Sequence, residues 1–104
     1  MEREKIERII EQLENIKSRP ASFIGNAGDE EALIHFFHGY SAAIFIIEGE
    51  RMPILDVYHK IHKRKGWQIN ALGIAPQMKE KGFSGVEIVQ ELITIEIEAW
   101  KTLL

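Results

Sequence analysis

The stretch "SGVEIVQELITIEIEAW", residues 84–100, supports two opposed readings, and the choice between them decides the fold. From Ile93 to Ile97 apolar and polar residues alternate with the period of a β-strand. Ser84 and Glu87, however, have the spacing of a capping box, in which the Ser84 hydroxyl accepts from the Glu87 amide and the Glu87 carboxylate from the Ser84 amide. Phe83 and Ile88 fall at the flanking positions of a hydrophobic staple. Ile88, Leu92, Ile95, Ala99 and Leu103 then continue one helical row. Cap and row together favour a helix to about Leu103.

Working outward, the rest of the chain also reads as helix. Ile6, Ile9, Ile10, Leu13 and Ile16 mark one face of a first helix, whose other face alternates Glu with Arg and Lys as a solvated surface does. Pro20 ends it, because the ring pushes Arg19 out of the α region. Asp29 is the expected N-cap of a helix over residues 30–47, with Leu33, Phe36, Phe37, Tyr40, Ile44 and Ile47 in one stripe. The stripe predicts the longest, most buried and central helix, and Gly39 within it predicts a close backbone neighbour. Pro53 opens a third helix that reaches about Lys65, where Gly66 is a natural stop. Residues 68–82 hold one or two short helical turns between Pro76 and Gly82. The expectation is an all-α, single-domain bundle of four to five helices.

Composition narrows the function classes. A chain of 104 residues, 45% hydrophobic and 28% charged, is one soluble globular domain. With no cysteine there are no disulfides, thiol nucleophiles or thiolate metal sites. The longest apolar run, Ala42 to Ile47, is far short of the roughly 20 residues that span a bilayer, and "MEREKIER" leads into no apolar signal segment. A cytoplasmic protein without membrane attachment is the expectation. A formal charge of −3 argues against general nucleic-acid affinity.

The candidate sites are few. Two His-x-x-His pairs, His35/His38 and His59/His62, have the spacing to meet on one metal ion, but no carboxylate motif accompanies them and they read as exposed or boundary residues. Asp56 and His59 have the spacing to share a hydrogen bond but have no nucleophile beside them. The basic stretch "YHKIHKRKGWQ", residues 58–68, concentrates basic residues, Lys60, Lys63 and Arg64 among them, beside aromatic Tyr58 and Trp67, a pattern suited to phosphate contact and base stacking. The same cations also complement the C-terminal end of a helix dipole. Glu96/Glu98 and Glu48/Glu50 are paired carboxylates able to mimic phosphates, with no companion for acid/base catalysis. No enzyme activity, cofactor or metal is implied.

The stretch "KSRPASFIGNAG", residues 17–28, carries a resemblance. "RPASFIG" resembles the Arg-Pro-Gly-Met-Tyr-Ile-Gly opening of the gyrase B type ATPases, but that family's Asn-x-x-x-Asp-Glu motif and Gly-rich lid segments have no counterpart here. More similar is a group of small bacterial proteins that read Arg-Pro-Ala-Leu/Met-Tyr-Leu-Gly, then Leu-x-x-Phe-Leu-x-Gly-Tyr-x-x-Ala. Their middle segment carries a tryptophan and their last helix is acidic and apolar. Arg19, Pro20, Ala21, Phe23, Ile24 and Gly25 match the first motif, and Leu33, Phe36, Phe37, Gly39, Tyr40 and Ala43 match the second; Trp67 follows. The match spans about residues 10–47, with Ser22 in place of a large apolar residue and a longer link at "NAGDEE".

That group looks like immunity-type proteins of toxin systems. The resemblance therefore implies a non-catalytic module that neutralises a toxin by binding it, and it brings structural positions rather than catalytic ones; the acidic excess of the chain suits a basic toxin as that partner. The alternative is a small nucleic-acid or ligand-binding regulator using the basic segment 59–67. Phe45 and Ile46, off the main stripe, suggest a possible homodimer face. Phe23 and Ile24 are expected to plug the cleft between the first two helices, so that Phe23→Ala would cost about 3 kcal/mol or more.

Overall fold

In the computed structural model, which describes all 104 residues, the capping box closes in both directions. Ser84 N donates to Glu87 Oε1 at 2.9 Å, and Glu87 N donates to Ser84 Oγ at 3.2 Å. The box starts α6 (Gly85–Lys101), the last of six helices. Before it come α1 (Arg3–Ser18), α2 (Pro20–Ile24), α3 (Glu30–Glu48), α4 (Leu55–Arg64) and α5 (Ala75–Glu80), and there is no strand. The chain is all-α with one helix more than expected. The addition is α2, a single turn that follows directly on the break expected at Pro20. Pro20 takes its first position, where a missing amide is no loss, and Gly25 closes it at φ 83°.

The period-two run of α6 has a simple cause. A helix turns about 100° per residue, so Ile93 and Ile97 share one face while Ile95 points to the opposite side. Both sides are covered, because α1, α3, α4 and α5 all pack against α6. Ile93, Ile95, Ile97, Ala99 and Trp100 are all buried, as is Glu96. The stripe of Glu87, Glu91, Thr94, Glu98 and Lys101 is left towards water, and a helix buried over so wide an arc is a central one. On α1, Ile6, Ile10, Leu13 and Ile16 form the buried seam. Gln90 Nε2 of α6 donates to the Lys17 carbonyl at 3.0 Å, satisfying one of the open acceptors at the end of α1.

This corrects the expectation for residues 30–47. α3 is the longest helix and Asp29 caps it, accepting from Ala32 N at 3.0 Å, but it is neither the most buried nor the central one. Only Glu30 and Leu33 are buried; Phe36, Phe37, Tyr40 and Ile44 are half-buried against the core. Ile47, assigned to the inward stripe, is 76% exposed. Apolar residues run round the C-terminal half of α3 without a neighbouring element to cover them.

Two further expectations change. A side chain at Gly39 would meet open space, so no backbone approaches there. The close approach lies elsewhere: a Cβ on Gly85 would overlap the Gly28 carbonyl oxygen, where the loop before α3 presses on the first turn of α6. Phe23 does not plug a cleft. It is 39% exposed, with only an edge contact to Phe36 at 6.4 Å between ring centroids. The shorter helices follow their local signals: Gly66 at φ 87° stops α4, Pro76 stands in the first turn of α5, and Gly82 at φ 87° closes it. No helix is long and apolar enough to cross a membrane.

Three outcomes follow for urea denaturation, the two glycine variants being opposite in sign. Gly39→Ala stabilises by up to about 1 kcal/mol, since it adds helix propensity in open space. Gly85→Ala destabilises by about 1–3 kcal/mol, the usual range for overpacking, despite the same gain in propensity. Phe23→Ala costs only about 1 kcal/mol, in keeping with a ring that keeps much of its surface in water.

Candidate functional site

The polar centre of the molecule is built on α6. Glu96 sits one turn before Trp100, in the buried part of the helix, with 4% of its surface exposed. A carboxyl so placed needs donors. Tyr40 of α3 and Tyr58 of α4 supply them: the Tyr40 hydroxyl donates to Glu96 Oε2 and the Tyr58 hydroxyl to Oε1. Trp100 Nε1 in turn donates to the Tyr40 oxygen at 3.1 Å. Tyrosine suits this task, because its ring packs in the core while its hydroxyl needs a buried partner.

Burial pushes the Glu96 carboxyl up from its ordinary 4.5 to about 8, and burial also raises the Tyr58 phenol. His62 stacks on Tyr58 with centroids 6.1 Å apart and rings 13° from parallel. Its imidazole is held below the usual value, first by burial and then by neighbouring His59.

From Glu96 a cleft of about 520 Å³ opens towards the surface between α3, α4 and the loop over residues 71–75. Phe37, Tyr40 and Tyr58 supply aromatic parts of its wall, and Ile34, Ile74 and Leu92 aliphatic ones. Leu72, 81% exposed, and Leu55 stand at its mouth. A second, shallower groove of about 700 Å³ runs along the C-terminal half of α3 past Ala42, Phe45, Ile46 and Arg51. The two share His38, Ser41, Met52 and Leu55, so they form one continuous surface. Ser41 and His38 line both, with no hydrogen bond between them, and Glu96 is the one carboxyl of the cleft.

The residues singled out in the sequence fall into place unevenly. Phe37 and Tyr40 of the signature meet in the cleft, whereas Arg19, Pro20, Phe23 and Gly25 shape the α1–α2–α3 connection and Gly39 is a solvent-exposed helix position. His35 and His38 lie edge to face on α3, 6.4 Å between centroids, and no group of three or more potential ligands converges on a metal-sized point. Asp56 and His59 are both exposed.

Glu96 and Glu98 do not act as a pair. Glu96 points inward, whereas Glu98 faces out to Arg64 and to Lys65, the latter 3.1 Å away. Glu48 is bound to Lys5 at 2.9 Å and Glu50 is exposed. In the basic stretch Lys60 and Lys63 are exposed, while Trp67 is buried, with Phe83 at its edge and Lys81 Nζ 4.8 Å from its ring. That ring is not free to stack on a base. The sequence reading had Glu96 only as half of a surface carboxylate pair and Tyr58 only as an aromatic of the basic stretch, and did not join them; the one local signal was an acid inside the apolar run "ITIEIEAW".

Comparison of the chain with protein families, with curated proteins and with solved structures gives no match.

The raised carboxyl makes a prediction of definite sign. Between about pH 4.5 and 8 the folded protein holds a proton at Glu96 that the unfolded chain has released. Stability from this group is therefore full below the lower value and falls as pH rises, by at most about 1.4 kcal/mol per pH unit. Above about pH 8 the loss levels off. Glu96→Gln removes this slope, so urea midpoints of wild type and variant, measured at several pH values, converge or cross as pH rises. Parallel profiles would contradict the assignment.

Proposed function

We propose that this chain is a non-catalytic protein-binding module of immunity or inhibitor type, which acts in the cytoplasm by covering the surface of a toxin. The observation that carries the reading is the uncovered apolar strip of α3. Phe45, Ile46 and Ile47 are 54%, 78% and 76% exposed, on a helix whose N-terminal half is packed. Leu55 and Leu72 extend the strip across the cleft mouth. Contiguous exposed apolar surface of this kind marks interaction sites in soluble proteins. The resemblance of residues 19–43 to immunity-type proteins points the same way, and a net charge of −3 suits a basic partner.

The alternative regulator that would bind nucleic acid through Lys60, Lys63, Arg64 and Trp67 has less support. Arg64 is engaged by Glu98 and Trp67 is buried, which leaves Lys60 and Lys63 as exposed cations without an aromatic platform. A second copy of the chain is the other natural occupant of the α3 strip.

Co-expression with the product of an adjacent gene tests the reading. The expected result is rescue of growth and a complex that co-purifies, both lost in an Ile46→Glu/Ile47→Glu variant whose melting temperature stays within a few degrees of wild type. Failure of the two proteins to associate at low salt, or rescue undiminished by the double variant, would sink it. Sedimentation of the chain alone separates the homodimer: a dimer that Ile46→Glu dissociates would assign the strip to a second copy.

A further inference from the structure

The strip on α3 accounts for the groove but leaves the interior carboxyl without a task. We propose that the cleft above Glu96 is a binding site for a small organic ammonium, an amine carried on an apolar stem, seated with its charged end between Glu96 and the rings of Tyr40 and Tyr58. This goes beyond the protein-binding reading and stands on the cleft alone.

Size, walls and charge each contribute. A volume of about 520 Å³ lies within the roughly 300–1,000 Å³ of small-molecule sites. The walls are apolar and aromatic, which suits a hydrocarbon stem. No Lys or Arg lines the cleft, so the one group able to carry a full charge near neutral pH, apart from two histidines, is the Glu96 carboxyl at its floor. An anionic ligand would meet repulsion there. A neutral one would gain nothing from the carboxylate that an ammonium gains in full.

The geometry around Glu96 is also already set. The Tyr40 and Tyr58 hydroxyls each take one lone pair of the carboxylate and fix its rotamer, while each oxygen keeps capacity for another donor. Phe37 and Tyr40 stand 5.5 Å apart at 55°, offering ring faces and edges rather than a closed stack. Ring faces attract cations, most strongly where water is excluded. Carboxylate and aromatic rings converging at the end of an apolar cleft are the donor set that an ammonium needs.

Binding a cation requires the carboxyl to ionise, and the proton released goes to solvent. The titratable groups that face Glu96 are Tyr40 and His38 on α3 and Tyr58 and His62 on α4; the 71–75 segment brings none. With His62 held below its usual value by burial and His59, the carboxyl is the group whose ionisation shapes the upper part of the profile. Amine affinity should rise about tenfold per pH unit towards about pH 8 and then level off.

The test uses three probes with one stem, phenylbutylamine, phenylbutanol and phenylbutyrate, titrated into the full chain at about pH 8.5. The readout is the indole N–H resonance of Trp100, which donates to Tyr40. The amine is expected to shift this resonance saturably, the alcohol to bind at least about tenfold more weakly, and the acid not to bind. Glu96→Gln should weaken the amine at least about tenfold, flatten its pH profile and leave the alcohol unchanged. Ala71→Trp, at an exposed position of the cleft wall, blocks the site without touching the core and should abolish binding even if Glu96→Gln folds poorly. Equal affinity for amine and alcohol, an amine affinity indifferent to both variants, or no saturation up to about 10 mM amine would overturn the proposal. Because none of these readouts involves the α3 strip, failure here leaves the protein-binding reading standing, and failure of that reading leaves this one.

Discussion

Everything in this fold depends on the wide buried arc of α6. A helix with one narrow apolar stripe needs one neighbour; a helix buried at Ile88, Val89, Ile93, Ile95, Ile97, Ala99 and Trp100, with the stripe of Glu87, Glu91, Thr94, Glu98 and Lys101 left towards water, needs several. α1 supplies the longest seam through Ile6, Ile10, Leu13 and Ile16, and α3, α4 and α5 close the remaining arc. Each fully buried aliphatic side chain contributes about 1.5–3 kcal/mol relative to exposure, so the arrangement of the outer helices follows from what α6 must hide. The approach of Gly28 to Gly85 belongs to the same constraint. It lets the loop leading into α3 lie directly on the first turn of α6, where any larger residue would hold the two apart.

Glu96 turns that constraint into a problem of polarity. A carboxyl at position 96 lies on the buried arc, away from the solvated stripe that Glu98 occupies. The structure answers with two hydroxyls from two different helices and an indole N–H behind one of them. The network fixes more than one side chain. Rotating α3 or α4 by a single residue, about 100°, would carry Tyr40 or Tyr58 out of reach and leave the carboxyl unsatisfied. Three helices are thereby held at one rotational setting, a restriction that an all-apolar contact would not impose. In stability alone a well-packed apolar residue would often do as well as such a buried network. The carboxyl at the end of an open cleft thus costs folding energy in the position where a ligand would use it.

What the sequence made legible was local. The capping box at Ser84 and Glu87, the Asp29 cap, the stops at Gly66 and Gly82 and the Pro20 break are decided by residues within a few positions of one another, and each appears in the fold. What it hid was tertiary. "AAIFII" on α3 is as apolar as "ITIEI" on α6, yet the first lies in water and the second in the core. Composition counts apolar residues without saying which of them acquire neighbours. The same gap misplaced Phe23 as a plug, Gly39 as a contact point and Trp67 as a free ring. Glu96 and Glu98, two apart, looked like a surface pair; two residues on a helix are about 200° apart, and one went in while the other stayed out. The resemblance through Phe37 and Tyr40 did reach the cleft, though as packing positions rather than as its walls.

The two ends of α3 finally bind the molecule's features together. Its N-terminal half carries Leu33, Phe37 and Tyr40 to the core and to Glu96; its C-terminal half carries Phe45, Ile46 and Ile47 past the last covering element. At 19 residues the helix is about 28 Å long, and only part of that length lies against the rest of the bundle. The groove beside the exposed half and the cleft beneath the packed half share His38, Ser41, Met52 and Leu55, so occupants of the two would meet at these four residues. A protein seated over Phe45 and Ile46 would border the cleft mouth, and a ligand held in the cleft would border the rim on which that protein sat. Any free energy of coupling between the two must act equally in both directions, and the residues that would transmit it are the four that line both.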